Sequence, residues 1–148
     1  MENVAAQLAE VKRLGSVLQS QQRSIEALAD ARRQRMWRVI VETGMTQADL
    51  AKQIGVSTSA VQQALREARQ APLPQFSFET RDVQGRWARE LRKRSDLSVK
   101  QAADCLDVPQ VWVKDVEAGR AVKGVGRLPR LFELYGAKVN RYAVGGAR

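Results

Sequence analysis

Residues 46 to 65, Thr-Gln-Ala-Asp-Leu-Ala-Lys-Gln-Ile-Gly-Val-Ser-Thr-Ser-Ala-Val-Gln-Gln-Ala-Leu, constrain the fold more than any other stretch of the chain. Thr46 is a strong helix N-cap, and Asp49 sits three residues on, where a carboxylate meets the positive end of the helix dipole. Ala51 is small enough to let a second helix cross close by. Gly55 supplies the left-handed backbone that ends the first helix and opens a tight turn. Val56 and Val61 are then expected to bury against Leu50 and Ile54, and Ser57 caps a second helix. The pattern predicts two short helices held at a fixed angle. The outer face of the second would carry Thr58, Ser59, Gln62 and Gln63 near its start. These hydroxyl and amide groups suit hydrogen bonding to base edges, Gln being able to pair bidentately with adenine.

A shift of 52 residues finds the pattern again. Met45 maps to Leu97, Thr46 to Ser98, Ala51 to Ala103, Ile54 to Leu106, Val56 to Val108 and Val61 to Val113. Asp107 stands where Gly55 stood, a residue that tolerates the left-handed region at some cost. The second outer helix opens on Pro109, acceptable at a helix start. Gln110 and Lys114 suit a polar face, but Val111 and Trp112 place apolar groups where a reader of bases presents polar ones, and Asp115 would repel phosphate. Arg120, Lys123, Arg127 and Arg130 downstream offset that repulsion.

Residues 3 to 33 lack proline and are rich in helix formers. Val4, Leu8, Val11, Leu14, Leu18, Ile25 and Leu28 follow three- and four-residue steps, with Gln21 in a seam position. The spacing around Leu14, next to Gly15 and Ser16, predicts a break there. Two burial modes are open for the stripe, packing on its own domain or pairing in a dimer. Arg32, Arg33, Arg35 and Arg38 surround Met36 and Trp37, and helical periodicity runs to Thr43-Gly44. Pro72 and Pro74 mark a linker. Helices are expected over about 84–93, 98–106, 110–117 and 126–135, with short strands at 75–79 and 138–144. The fold class is therefore all-α: two small helix-turn-helix domains after an N-terminal helix. The expected boundaries are 1–33, 34–70, a linker at 71–83, and 84–148.

Charge follows the same division. Of the net +9, residues 1 to 30 contribute −1 (3 basic, 4 acidic), residues 31 to 71 contribute +4 (7 and 3), and residues 72 to 148 contribute +6 (15 and 9). The basic excess begins where the motifs begin, as a polyanionic partner requires. Histidine is absent and Cys105 is the single cysteine, which removes Cys/His zinc sites, histidine acid-base pairs and an intrachain disulfide. Cys105 is expected as a small core residue. No metal, cofactor or catalytic centre is expected, so the chain is not expected to be an enzyme. With no apolar run of about 18 residues and no leader pattern, a cytoplasmic, nucleoid-associated protein is expected.

The stretch 46 to 65 resembles the helix-turn-helix of bacterial and phage regulators. From Trp87 to Val144 the chain resembles the lambda-repressor-like (Xre) family, in particular its HipB-like antitoxin members, through Leu91-Arg92-Lys93-Arg94, Glu117-Ala118-Gly119-Arg120 and the closing Leu128-Pro129-Arg130-Leu131-Phe132-Glu133-Leu134-Tyr135-Gly136. The resemblance implies a DNA-binding transcription regulator, more often a repressor, acting as a homodimer on double-stranded DNA, with the terminal strand 138–144 pairing across the dimer. Base reading is expected from Thr58, Ser59, Gln62 and Gln63, and phosphate contact from Arg32, Arg33, Arg35, Arg38, Gln47 and Ser57. Gln110, Val111, Trp112, Lys114, Arg120 and Lys123 are expected to meet either DNA or a protein partner. Under the second option Trp112 is the contact anchor.

Overall fold

The computed structural model describes residues 2–143. A 42-residue helix, α1 (Glu2–Thr43), leads into two motifs built from α2 (Gln47–Ile54) and α3 (Thr58–Gln70), then from α4 (Arg81–Arg94), α5 (Val99–Leu106) and α6 (Gln110–Glu117). A 3-10 turn at Val125–Arg127 and α7 (Leu128–Leu134) close the chain, with strands β1 (Phe76–Ser77) and β2 (Val139–Arg141). The all-α class with short strands is borne out, as is each helix expected after residue 84.

The 52-residue repeat holds element by element. α2 and α5 begin at Gln47 and Val99 and end at Ile54 and Leu106, and their caps are Thr46 and Ser98. Gly55 (φ 73) and Asp107 (φ 54) both end their helix in the left-handed region, and Val56 N–H and Val108 N–H each bond a carbonyl five residues back, at Ala51 and Ala103. One step earlier Gly44 (φ 71) and Asp96 (φ 55) correspond in the same way. The second copy thus holds aspartate where the first holds glycine, at both reversals. A side chain in that region is strained by roughly 1 kcal/mol. Asp107→Gly is therefore expected to raise the thermal midpoint by a few degrees, read by calorimetry; no change or a fall would show that the aspartate is held by something other than its backbone.

α1 runs through Gly15 without the expected break. A Cβ placed on that glycine would meet nothing within 4 Å among the described residues, and its cost of about 1 kcal/mol is carried by the good helix formers on either side. The stripe from Val4 to Leu28 is exposed throughout. Packing on its own domain is therefore overturned among the described residues, which fold back only onto the helix's last third.

That last third forms the centre of the core. Trp37 is fully buried and meets Trp87 of α4 edge to face at 5.0 Å. Trp37 Nε1 donates to Glu90 at 2.8 Å, and Trp87 Nε1 donates back to Glu42 of α1 at 3.1 Å. Glu90 also pairs with Arg69 of α3 at 2.9 Å. The two motifs share one continuous hydrophobic cluster through these indoles. In the second motif α4 crosses α6 so closely that a Cβ on Gly85 would meet the carbonyl oxygens of Val116 and Glu117 at 2.5 and 2.7 Å. Only glycine fits there.

β1 and β2 pair in parallel within the chain, with Phe76 N–H bonded to Lys138 O at 2.9 Å and Phe78 N–H to Arg141 O at 2.8 Å. The terminal strand therefore pairs along one edge with the segment after the two prolines, within its own chain; Val144 lies outside the described residues. Phe76 and Phe78 are buried and stack at 5.9 Å, and Phe78 reaches Phe132 of α7 at 5.0 Å. Two further expectations are corrected. Cys105 is exposed on α5, because Ala102 and Ala103 take the inward face of that short helix. Ile54 is also exposed, with Leu50 and Ala51 forming the buried face of α2.

Candidate nucleic-acid interface

α3 is positioned by what lies behind it. Val61, Leu65 and Ala68 are buried against α1 and α2, which turns the opposite face of the helix outward. Ser57 Oγ accepts Ala60 N–H at 3.1 Å, capping the helix and leaving its hydroxyl hydrogen for a donor role. Thr58, Ser59, Gln62 and Gln63 are all exposed. The two glutamines nevertheless differ. Gln63 donates to Glu67 at 2.9 Å and accepts from Arg66 at 3.2 Å, and it lines an apolar groove with Leu28, Met36, Val56 and Ala64 between α1 and α3. Gln62, about a hundred degrees round the helix, faces the other way. It opens on the space between the two motifs.

That space is a polar cleft of about 660 Å³ lined by Gln47, Gln62, Arg66, Arg69, Gln70, Lys93, Arg94 and Asp96. Four cations and one carboxylate converge on it. Arg69 is partly neutralised by Glu90, whereas Arg94 is held by backbone alone, donating from Nε to Arg69 O at 2.9 Å. Lys93 is exposed, and among the described residues Arg66 hydrogen-bonds only the Gln63 amide oxygen. A strand of phosphates is the ligand such a cleft can hold. Sequence reasoning placed Gln47 and Gln62 here and missed the cations. Arg66 could have been found as the residue one helical turn beyond Gln62 on the same face, but nothing local brings Lys93 and Arg94 to α3.

The arginine cluster of α1 divides between two sides of the helix. Arg32 and Arg33 line the apolar groove, and Arg33 is paired with Asp30 and, at 3.3 Å, with Glu67. Arg35 and Arg38 lie beside Pro74, Gln75, Phe76 and Trp87, with Arg38 paired to Glu42 at 3.0 Å. Arg32 and Arg35 have no ion pair among the described residues. Both are exposed.

In the second motif Gln110, Val111 and Lys114 are exposed, but Trp112 is only 8% exposed. Its indole Nε1 donates to Lys123 O at 2.8 Å, pinning the loop that follows α6. The expectation of an outward tryptophan fails because this loop folds back over the helix. Val111, by contrast, remains 59% exposed and borders a hollow of about 550 Å³ with Val108, Val122 and Arg127. Asp115 is paired with Arg120 at 3.2 Å, which cancels much of its repulsion toward phosphate; Lys123 keeps its side chain exposed. Beneath this surface Arg92 and Glu117 form a largely buried ion pair at 2.9 Å. Next to them burial pushes the Tyr135 phenol well above its ordinary value, with Glu117 adding to the rise.

Among the described residues no helix is long and apolar enough to cross a membrane, and no cluster of three potential metal ligands occurs. No curated protein and no solved structure matches the chain. Residues 85–143, from within α4 to the end of the described chain, match the family model of a helix-turn-helix domain, which supports a DNA-binding regulator.

Proposed function

We propose that the chain is a sequence-specific regulator that binds double-stranded DNA and represses transcription by occupying its site, working as a homodimer on the bacterial nucleoid in the cytoplasm. The observation that carries the DNA reading is the first motif's outer helix: Thr58, Ser59 and Gln62 lie exposed at its start, directly beside the basic cleft. In such a geometry the hydroxyls and the amide enter the major groove while Arg66 and Lys93 hold the flanking phosphates. The second motif retains Gln110 and Lys114 for the same use. Its kinship is with the Xre type, on the residues that carry that resemblance.

Selection of bound duplexes from a random pool, at two salt concentrations, tests the reading. Gln62→Ala is expected to relax preference at one base pair by about 1–3 kcal/mol, whereas Gln63→Ala, already engaged with Glu67 and Arg66, is expected to change preference less. A pool with no enriched sequence would overturn base reading altogether.

A second reading is favoured by one feature, the exposed Val111 beside an apolar hollow. On an antitoxin-like protein this face grips a protein partner while the first motif holds the operator. Val111→Asp is the variant that separates the two, since it alters the surface and leaves the buried Trp112 in place.

A further inference from the structure

The first two-thirds of α1 is a helical arm with no cover among the described residues of its own chain. From Val4 to Leu28 its large apolar side chains are between 41% and 71% exposed. We propose that this arm pairs with the arm of a second copy as a parallel, two-stranded coiled coil; the proposal deepens the DNA-binding reading and rests on it only for what the pair then grips.

Three features of the arm fix that choice. Val4, Val11, Leu18 and Ile25 recur at seven-residue intervals, and Gln7, Leu14, Gln21 and Leu28 recur at the same interval three residues later. These are the two inward positions of a heptad; three of the four first positions are β-branched (Val4, Val11, Ile25) and two of the four second positions are leucine (Leu14, Leu28), a combination that favours two strands. The charges are placed to permit self-pairing: residues 2–28 hold three acids and three bases. All but Glu10 fall at outward heptad positions, and Glu10 is paired with Arg13 on its own helix. Two arms can therefore meet without repulsion.

The glutamines set direction. In a parallel pair each inward residue meets its own equivalent, so Gln7 meets Gln7 and Gln21 meets Gln21, and their amides can bond one another. In an antiparallel pair the same register sets Gln7 against Ile25 and Gln21 against Val11, leaving desolvated amides without partners. A parallel arrangement brings both pairs of motifs to one end of a stalk roughly 40 Å long, where they can address two halves of an inverted repeat.

Sedimentation equilibrium and cross-linking of the full chain, without DNA, test this independently of DNA binding. The parent is expected at twice its chain mass. Leu18→Glu is expected to weaken association at least about 100-fold while the motifs stay folded, since Leu18 is 65% exposed and takes no part in the core. In a Cys105→Ser background, Val4→Cys is expected to form a disulfide-linked dimer on oxidation, and a mixture of Val4→Cys and Leu28→Cys proteins is expected to give no mixed disulfide. A monomeric parent, a mass of three or four chains, a Leu18→Glu dimer of unchanged affinity, or preferential mixed disulfides would each overturn the proposal. Loss of pairing with DNA affinity retained would leave the DNA reading standing, and the reverse result would leave the coiled coil standing.

Discussion

Trp37→Ala is expected to lower the unfolding free energy by about 3–5 kcal/mol and to melt both motifs in one transition. The side chain is fully buried, so its removal takes away both transfer energy and packing, and it opens a void that neighbouring helices cannot collapse into. It also strands Glu90, which would retain only Arg69 of its two partners. Denaturant titration followed by far-ultraviolet circular dichroism reads the result. Because Trp37 comes from the helix before the first motif and Trp87 from the first helix of the second, a loss confined to one half would contradict a shared core.

The double variant Arg66→Ala, Lys93→Ala is expected to weaken DNA binding about 100-fold at low salt. Each charge-assisted bond to phosphate contributes about 1.5 kcal/mol or more, close to tenfold per residue. The slope of log affinity against log salt should fall by about two, because each phosphate left without its cation removes about 0.9 from it. Sequence preference should remain, since neither residue reads bases. Fluorescence anisotropy over a salt series distinguishes this from Gln62→Ala, which should alter preference and leave the slope alone. An unchanged slope would mean that the cleft between the motifs does not track the backbone of the duplex.

The parts of this fold that were legible in the sequence depend on short-range chemistry. Thr46 and Ser98 cap, Gly55 and Asp107 reverse, and Ala51 and Ala103 lie against the crossing helix; each acts on residues within a turn or two, so spacing alone exposes them. The parts that stayed hidden depend on chain return. Trp112 reads as outward in the sequence, and only the loop ending at Lys123 covers it; Phe76 and Phe78 read as a short strand inside a linker, with nothing local to name α7 and the terminal strand as their cover. Cys105 looked inward because an eight-residue helix offers several apolar faces, and the two alanines beside it fill the available space. The candidate interface divides in the same way. Gln62 is visible as a local outer-face residue, but Lys93 and Arg94 reach it from the far end of a helix that begins only after two prolines.

The unbroken course of α1 has a consequence for how the molecule is tuned. No hinge lies between Leu28 on the arm and Trp37 in the core, so arm and core share a single angular phase about the helix axis. Each residue contributes about 100° to that phase. The length of the segment between them therefore works like the keyway of a shaft, fixing the direction in which α3 points once the arm is gripped, and a change of one residue there redirects the reading surface without touching a single side chain on it.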